Sequence, residues 1–246
     1  MNTFTTKLAG VFLLLSIAAE FAAIGLVVSH GVGVETLAQM DFSTREQLVM
    51  LQQARWMIAL FSLGVIAPCL GMLVWPGIYQ VVAPGGPAAF WVVIVASLGF
   101  LFGVVGEAIR LAVVITLPPA YVGAADVARP GILALGVTLG SLIQILRSTS
   151  FITIYAVGMP LIALAIVRGR NLPSWLGWVL LIPSVLVGYI GAPLVSLGHA
   201  IGGPFIGLGL NIHFLWLLVL AFLLLRWRPS HNKLKAGAGI VQDKLS

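Results

Sequence analysis

The sequence predicts an all-α polytopic integral membrane protein, a bundle of about six transmembrane helices. Of its 246 residues, 60% are hydrophobic and only 8% are charged, whereas a soluble domain carries about 25% charged residues. The mean hydropathy is +1.11. Six apolar stretches reach the length that a bilayer requires, which is about 20 residues. A chain this apolar cannot hide its surface from water by folding on itself, so lipid must be part of its solvent.

The first predicted span covers residues 8–29. It starts too polar and continues too long for a signal peptide, and no A-x-A cleavage site follows it. The second span covers residues 55–82, and its helix is expected to begin earlier, because the run from Ser43 to Glu46 matches a capping box. Its polar first turns should stand outside the bilayer. Pro68 and Pro76 predict kinks within this span.

The third predicted span covers residues 88–117, between the helix-breaking runs 84–87 and Pro118-Pro119. The fourth stretch, 131–167, is too long for one untilted span. It is either one helix or an amphipathic surface helix that leads into a span from about residue 148. The fifth and sixth spans cover residues 175–197 and 205–225. Because the linkers are short, we expect one six-span domain over residues 1–228. Residues 229–246 form a basic tail that we expect to be disordered.

The distribution of basic residues predicts that both termini are cytoplasmic. With the N-terminus inside, eight lysines and arginines fall on the inner side and three on the outer side, as the positive-inside rule requires. The inner residues are Lys7, Arg168, Arg170, Arg226, Arg228, Lys233, Lys235 and Lys244, and the outer ones are Arg45, Arg55 and Arg129. Four tryptophans fall near span ends, as in an aromatic belt: Trp56, Trp175, Trp178 and Trp227.

Charged residues inside the third span are the strongest sign of a site. Glu107 and Arg110 stand three residues apart, so they are neighbours on one helix face. Gly99 and Gly103 lie on roughly the same face, where small residues let another helix approach. Charges at bilayer depth cost several kcal/mol, and they usually face the bundle interior and pair.

Further polar residues can join this pair. Glu20 lies near the middle of the first span, and Arg147 belongs to a polar stripe in the fourth with Thr138, Ser141 and Gln144. Two acids and two bases would balance in charge. The cluster is either an ion-pair network that fixes helix register or the polar floor of a cavity for a substrate or a lipid headgroup. Asn211 and His213, both polar within the sixth span, would extend the same cavity.

No pattern of residues predicts a catalytic or metal site. His30, His199 and His213 fall in the predicted outer half, where a haem or metal site is conceivable, but they lack ligand spacing. We therefore predict no cofactor and no metal ligand. P-loop and G-x-S-x-G motifs do not occur. The lone Cys69 is interpreted as a small buried apolar residue. Nucleic-acid binding is excluded, because the excess positive charge lies in the tail and not in a basic stripe.

The run FITIYAVGMPLIALAIVRGRNLPSWLGWVLLIPSVLVGYI, residues 151–190, resembles the bacterial multi-span membrane family known as domain of unknown function 4386. Members read roughly G-L-x-L-L-x-x-G-x-L-x-x-R-S-G-x-L-P-R-x-L-G at this hairpin, and residues 172–177 fill the L-P-x-x-L-G part. The start, TTKLAGVFLLLSIAAEFAAI, is similar to that family's first span, with its acid at Glu20. The segment GEAIRLAVV is similar to the third, although there the arginine comes first. The resemblance implies six helices in one domain, the cytoplasmic (inner) membrane of a bacterium, and no established activity.

Three classes of function fit these observations. The first is an accessory or scaffold subunit of a membrane assembly, which needs no motif; segments 35–53 and 121–144 and the tail would dock partners. The second is a lipid-binding or small-hydrophobe-binding protein or transporter that uses the Glu and Arg cluster. The third, an intramembrane enzyme, is disfavoured because no nucleophile and base pair is recognisable. Expected partners are membrane lipids and other membrane subunits.

Overall fold

The computed structural model describes residues 3–31, 42–169, 171–197, 199 and 201–227. These residues form helices and turns without a strand, and six of the helices are long and apolar enough to cross a membrane. The predicted all-α membrane fold is therefore confirmed. Glu35, Arg170 and the predicted tail, 229–246, lie outside the described residues, so the expectations placed on them stay predictions.

Helix α1 covers Thr3–Ser29, and α2 is a separate short helix, Arg45–Gln53. The α2 N-cap is Thr44, whose hydroxyl accepts a hydrogen bond from the backbone N–H of Gln47 at 3.3 Å. The N-cap thus lies one residue after the predicted position, because Ser43 and Thr44 are equally suited to it by sequence. Oε1 of Gln47 has no hydrogen-bond partner among the described residues, so the reciprocal bond of a capping box is not formed.

The second span consists of two helices, α3, Trp56–Met72, and α4, Trp75–Val82. The break precedes Pro76, which lies in the first turn of α4, where its missing N–H costs no helical hydrogen bond. Helix α3 continues past Pro68. A turn, Ala83–Gly85, then leads to Gly86, whose φ of 92° is open to glycine at little cost. The predicted break before the third span is confirmed.

Helix α5 covers Ala88–Gly123 and runs through Pro118 and Pro119. The prediction that these prolines end the helix was wrong. Leu117 and Tyr121, on either side of the pair, are 5% and 6% exposed, so tertiary packing holds the last turns helical despite the lost hydrogen bonds.

The fourth stretch is one continuous helix of 41 residues, Arg129–Gly169. It comprises α6, Arg129–Phe151, a π-helical segment, Ile152–Gly158, and α7, Met159–Gly169. At 1.5 Å per residue it is roughly 60 Å long, about twice the hydrocarbon thickness of a bilayer. The sequence was compatible with one helix or with two in this stretch, and the structure contains one.

The fifth span comprises α8, Ser174–Pro183, a second π-helical segment, Ser184–Gly191, and α9, Ala192–Ser196, and the sixth is α10, Gly202–Leu225. The two π segments bind each other through side chains. The Ser184 hydroxyl donates to the Tyr155 carbonyl at 2.7 Å, and the Tyr189 hydroxyl donates to the Ala156 carbonyl at 2.5 Å. Carbonyls that the wider helical turn leaves poorly paired are thereby satisfied.

Two apolar cores follow each other along the bundle. All six spans contribute buried residues to the first core, including Leu13 of α1, Val92 of α5 and Leu220 of α10. The second core is built from Phe42 and from residues of the end of α1, of α2 and α3, and of the long α5–α6 hairpin. Helices α1 and α5 contribute to both cores, as does the fourth span. Along these helices, the segments that belong to the two cores are separated by four charged residues, Glu20, Glu107, Arg110 and Arg147.

Trp56, Trp175 and Trp227 lie at or beside helix ends, as predicted. The prediction for Cys69 was wrong, because its side chain is exposed on α3. In a membrane protein an apolar residue is as stable against lipid as in the core, so hydrophobicity alone does not predict burial.

Candidate functional site

A partly open cavity of about 370 Å³ lies between the two cores. Helices α1, α3, α5 and the α6 end line it. Four charged side chains converge there: Glu20, Glu107, Arg110 and Arg147. Most of the remaining lining is apolar, including Val27, Leu60, Phe61 and Phe151. We call this space the charged cavity.

One carboxylate on α5 binds both arginines. Oε1 of Glu107 lies 3.3 Å from Nε of Arg147 and 3.9 Å from Nη1 of Arg110. The guanidinium carbon of Arg110 also lies 4.5 Å from the centre of the Phe61 ring, a cation–π distance. The side chains of Arg110, Glu107 and Arg147 are 6%, 16% and 28% exposed, so Arg147 is the arginine most open to a ligand.

Small residues let the helices close around these charges. A Cβ on Gly64 of α3 would lie 3.3 Å from Oε2 of Glu107, and a Cβ on Gly103 would lie 3.0 Å from Oγ of Ser150. Ser150 in turn donates to the Gly99 carbonyl at 2.8 Å. The helix face predicted to admit a close neighbour does so, and the neighbour is the end of α6.

Glu20 approaches the cavity from α1. Among the described residues it forms no hydrogen bond and no ion pair, and it lines the same cavity as Glu107. The wall formed by α5 and α6 carries two arginines and one glutamate, a net charge of +1, and Glu20 is the second acid of the cavity, placed on another helix.

Three predicted site residues do not line the charged cavity. Gln144 is exposed on α6, one turn before Arg147. Asn211 is also exposed, and its amide donates to the Gly207 carbonyl of its own helix at 2.8 Å. His213 is only 8% exposed and lies in a separate cluster. Side-chain polarity within a span therefore identified the four charged residues, but it did not separate them from polar residues that lie elsewhere in the bundle.

The separate cluster joins His213 to the first π segment. The hydroxyl of Tyr155 lies 2.6 Å from Nδ1 of His213, and both side chains are buried. Nε2 of His213 has no hydrogen-bond partner among the described residues. Tyr155 stacks on Phe151, a residue of the cavity wall. Sequence reasoning missed Tyr155, Phe61 and Ser150. Of these three residues only Tyr155 gave a signal in the sequence, because it is a tyrosine within an apolar run.

The three histidines that could have formed a haem or metal site lie apart. His30 stacks on Trp56 with ring centres 4.2 Å apart, and His199 is exposed in the turn before α10. In the part of the chain that the structure describes, no three His, Cys, Asp or Glu side chains are grouped to hold a metal ion.

Comparison of the chain with models of protein families, with curated proteins and with solved structures finds no match. The resemblance to the multi-span family therefore stays a prediction, and the function is argued from the site alone.

Proposed function

We propose that this membrane protein binds a lipid or another small amphiphile in the charged cavity. The observation that carries the proposal is the convergence of four charged side chains, from three helices, on one cavity with an otherwise mostly apolar lining. Polar groups at one side of an apolar pocket fix the orientation of a ligand, while the apolar lining supplies affinity.

The size and position of the cavity fit this use. Its volume of about 370 Å³ falls within the range of small-molecule sites, roughly 300–1,000 Å³. Ile24 of α1 lines the cavity and is 44% exposed. Because α1 is long and apolar enough to cross the membrane, we expect the ligand to enter from the bilayer beside Ile24.

A network of ion pairs that served only to fix helix register would need fewer features than the charged cavity has. Glu107 already pairs with both arginines, and such a network is often replaceable by well-packed apolar side chains. That role does not explain an open cavity, and it does not explain an acid that forms no ion pair with a described residue, such as Glu20. An intramembrane charge without a protein partner favours a ligand.

The accessory-subunit, transporter and enzyme classes stay predictions. No contact among the described residues favours any of them over simple binding. If the protein transports its ligand, the binding site described above is where that ligand would be held.

Ligand-dependent thermal stability tests the proposal. The full chain is purified in detergent, freed of lipid and mixed again with lipids extracted from its own membrane. Bound ligand stabilises the folded state by mass action, about 2.7 kcal/mol at a hundredfold excess over Kd. We expect extracted lipid to raise the melting temperature of the wild type and of Ala22→Phe, which alters an exposed position of α1. Ala23→Phe, one residue further along in the cavity wall, should lose the effect. An equal rise in all three proteins would contradict the proposal.

A further inference from the structure

We infer that the ligand of the charged cavity has a zwitterionic head, with its anionic group bound at Arg147 and a primary ammonium bound at Glu20. This inference deepens the proposed function and rests on it. It follows from the unequal distribution of charge between the walls of one cavity.

The α5–α6 wall favours an anion. Two arginines share a single carboxylate there, so the wall keeps one net positive charge. The ion pair of Arg147 is formed at Nε, and a guanidinium has five N–H donors, more than one shared oxygen accepts. Arg147 is also the more exposed of the two arginines. A phosphate or carboxylate group is the partner that such a planar set of donors binds best.

The α1 wall favours a cation that donates hydrogen bonds. Glu20 lines the cavity without a hydrogen bond or ion pair inside the described part of the chain. Glu107 lines the same cavity, and its like charge adds to the cost of holding the Glu20 carboxylate away from water. A primary ammonium offers three N–H donors, whereas a quaternary ammonium offers none. A ligand with both groups on one short head would compensate both walls at once.

Two sources could supply this head. A phospholipid with a phosphoethanolamine head would enter from the bilayer, and the exposed Ile24 and the apolar lining of the cavity would receive its chains. Free phosphoethanolamine or a similar soluble zwitterion would enter from water. The head chemistry is the same, and competition between the two sources separates them.

The test is a titration of the delipidated full chain in detergent with three short-chain phospholipids of equal chain length, followed by native mass spectrometry. Their heads are phosphoethanolamine, phosphocholine and phosphoglycerol. We expect the wild type to bind the phosphoethanolamine lipid about tenfold more tightly than the other two, the worth of a charge-assisted hydrogen bond. Glu20→Gln should remove this preference while phosphoglycerol lipid still binds. Arg147→Gln should weaken all three, and Arg129→Gln, which alters an exposed arginine paired with Asp126, should weaken none.

Equal affinity of the wild type for the three lipids, or a preference that survives Glu20→Gln, would overturn the zwitterion inference and leave the proposed function standing. Binding that Ala23→Phe does not reduce would overturn the proposed function itself. Free phosphoethanolamine that displaces the lipid at equal concentration would support the head chemistry with a soluble ligand, and failure to displace would support the lipid. Melting temperatures of the variants without lipid show that each one is folded.

Discussion

The Nε atom of Arg147 lies 3.3 Å from Oε1 of Glu107, and this ion pair joins the middle of α5 to the end of α6. Because α5 and the fourth span each contribute to both apolar cores, the pair lies between the two cores. The same carboxylate also lies 3.9 Å from Nη1 of Arg110. Glu107 is thus the centre of the charged cavity, and its removal should affect both stability and binding.

Glu107→Gln should lower the free energy of unfolding, because two poorly exposed arginines lose the carboxylate that they share. Breaking a buried pair costs about 3–5 kcal/mol and an exposed pair about 0–1 kcal/mol. Since Glu107 is 16% exposed, we expect a loss of about 2 kcal/mol. Denaturant unfolding in detergent measures it. Asp126→Asn, which breaks an exposed pair with Arg129, is the control and should change little. Equal stability of the two variants would show that the cluster does not hold the helices.

Gly64→Leu should damage the charged cavity, whereas Gly25→Leu should not. A Cβ on Gly64 already lies 3.3 Å from the Glu107 carboxylate, so a longer side chain displaces that carboxylate or the helix that carries it. A Cβ on Gly25 meets nothing within 4 Å. We expect lipid-dependent stabilisation to be lost in the first variant and kept in the second. Retention of binding in Gly64→Leu would mean that Glu107 can move aside without effect.

Tyr155→Phe should destabilise the protein by about 1–3 kcal/mol, because a buried histidine then loses its hydrogen bond. The bond joins the Tyr155 hydroxyl to Nδ1 of His213 at 2.6 Å. Replacing both partners by apolar side chains is often nearly neutral, so Tyr155→Phe with His213→Phe should recover most of the loss. A double-mutant cycle measures this coupling. Losses that simply add would contradict a specific interaction.

Labelling of single cysteines should confirm the predicted orientation. In a Cys69→Ser background, Val127→Cys places a thiol between α5 and α6, at a position that is 90% exposed. If both termini are cytoplasmic, a membrane-impermeant maleimide added to intact cells labels Val127→Cys. The same reagent should leave Ser246→Cys unlabelled until the cells are opened. The reverse pattern would show that the positive-inside rule misorients this chain.

The fold could be predicted from the sequence because lipid imposes length and apolarity on every span. Glu20, Glu107, Arg110 and Arg147 could also be found, since charges at bilayer depth are rare and costly. The arrangement of these four side chains could not be predicted. That Glu107 serves both arginines while Glu20 stays apart depends on which helices pack together, and a linear pattern does not encode such contacts.

Other errors have local physical causes. The prolines at 118 and 119 were expected to end a helix that packing keeps intact. The two π segments escaped prediction, because no residue type requires a π turn and side chains such as Ser184 stabilise it from another helix. Asn211 was predicted to line the cavity because it is polar. The sequence does not show which face of an almost wholly apolar helix is buried, and Asn211 lies on an exposed face.

Native mass spectrometry of the full chain, extracted gently from its own membrane, tests the central claim most directly. We predict that the wild type and Ala22→Phe carry a reproducible mass of a small amphiphile, and that Ala23→Phe and Arg147→Gln lose it. A wild-type chain that arrives without any bound small molecule would contradict ligand binding in the charged cavity. Co-migrating polypeptides in place of a small molecule would likewise contradict it and would support the accessory-subunit prediction.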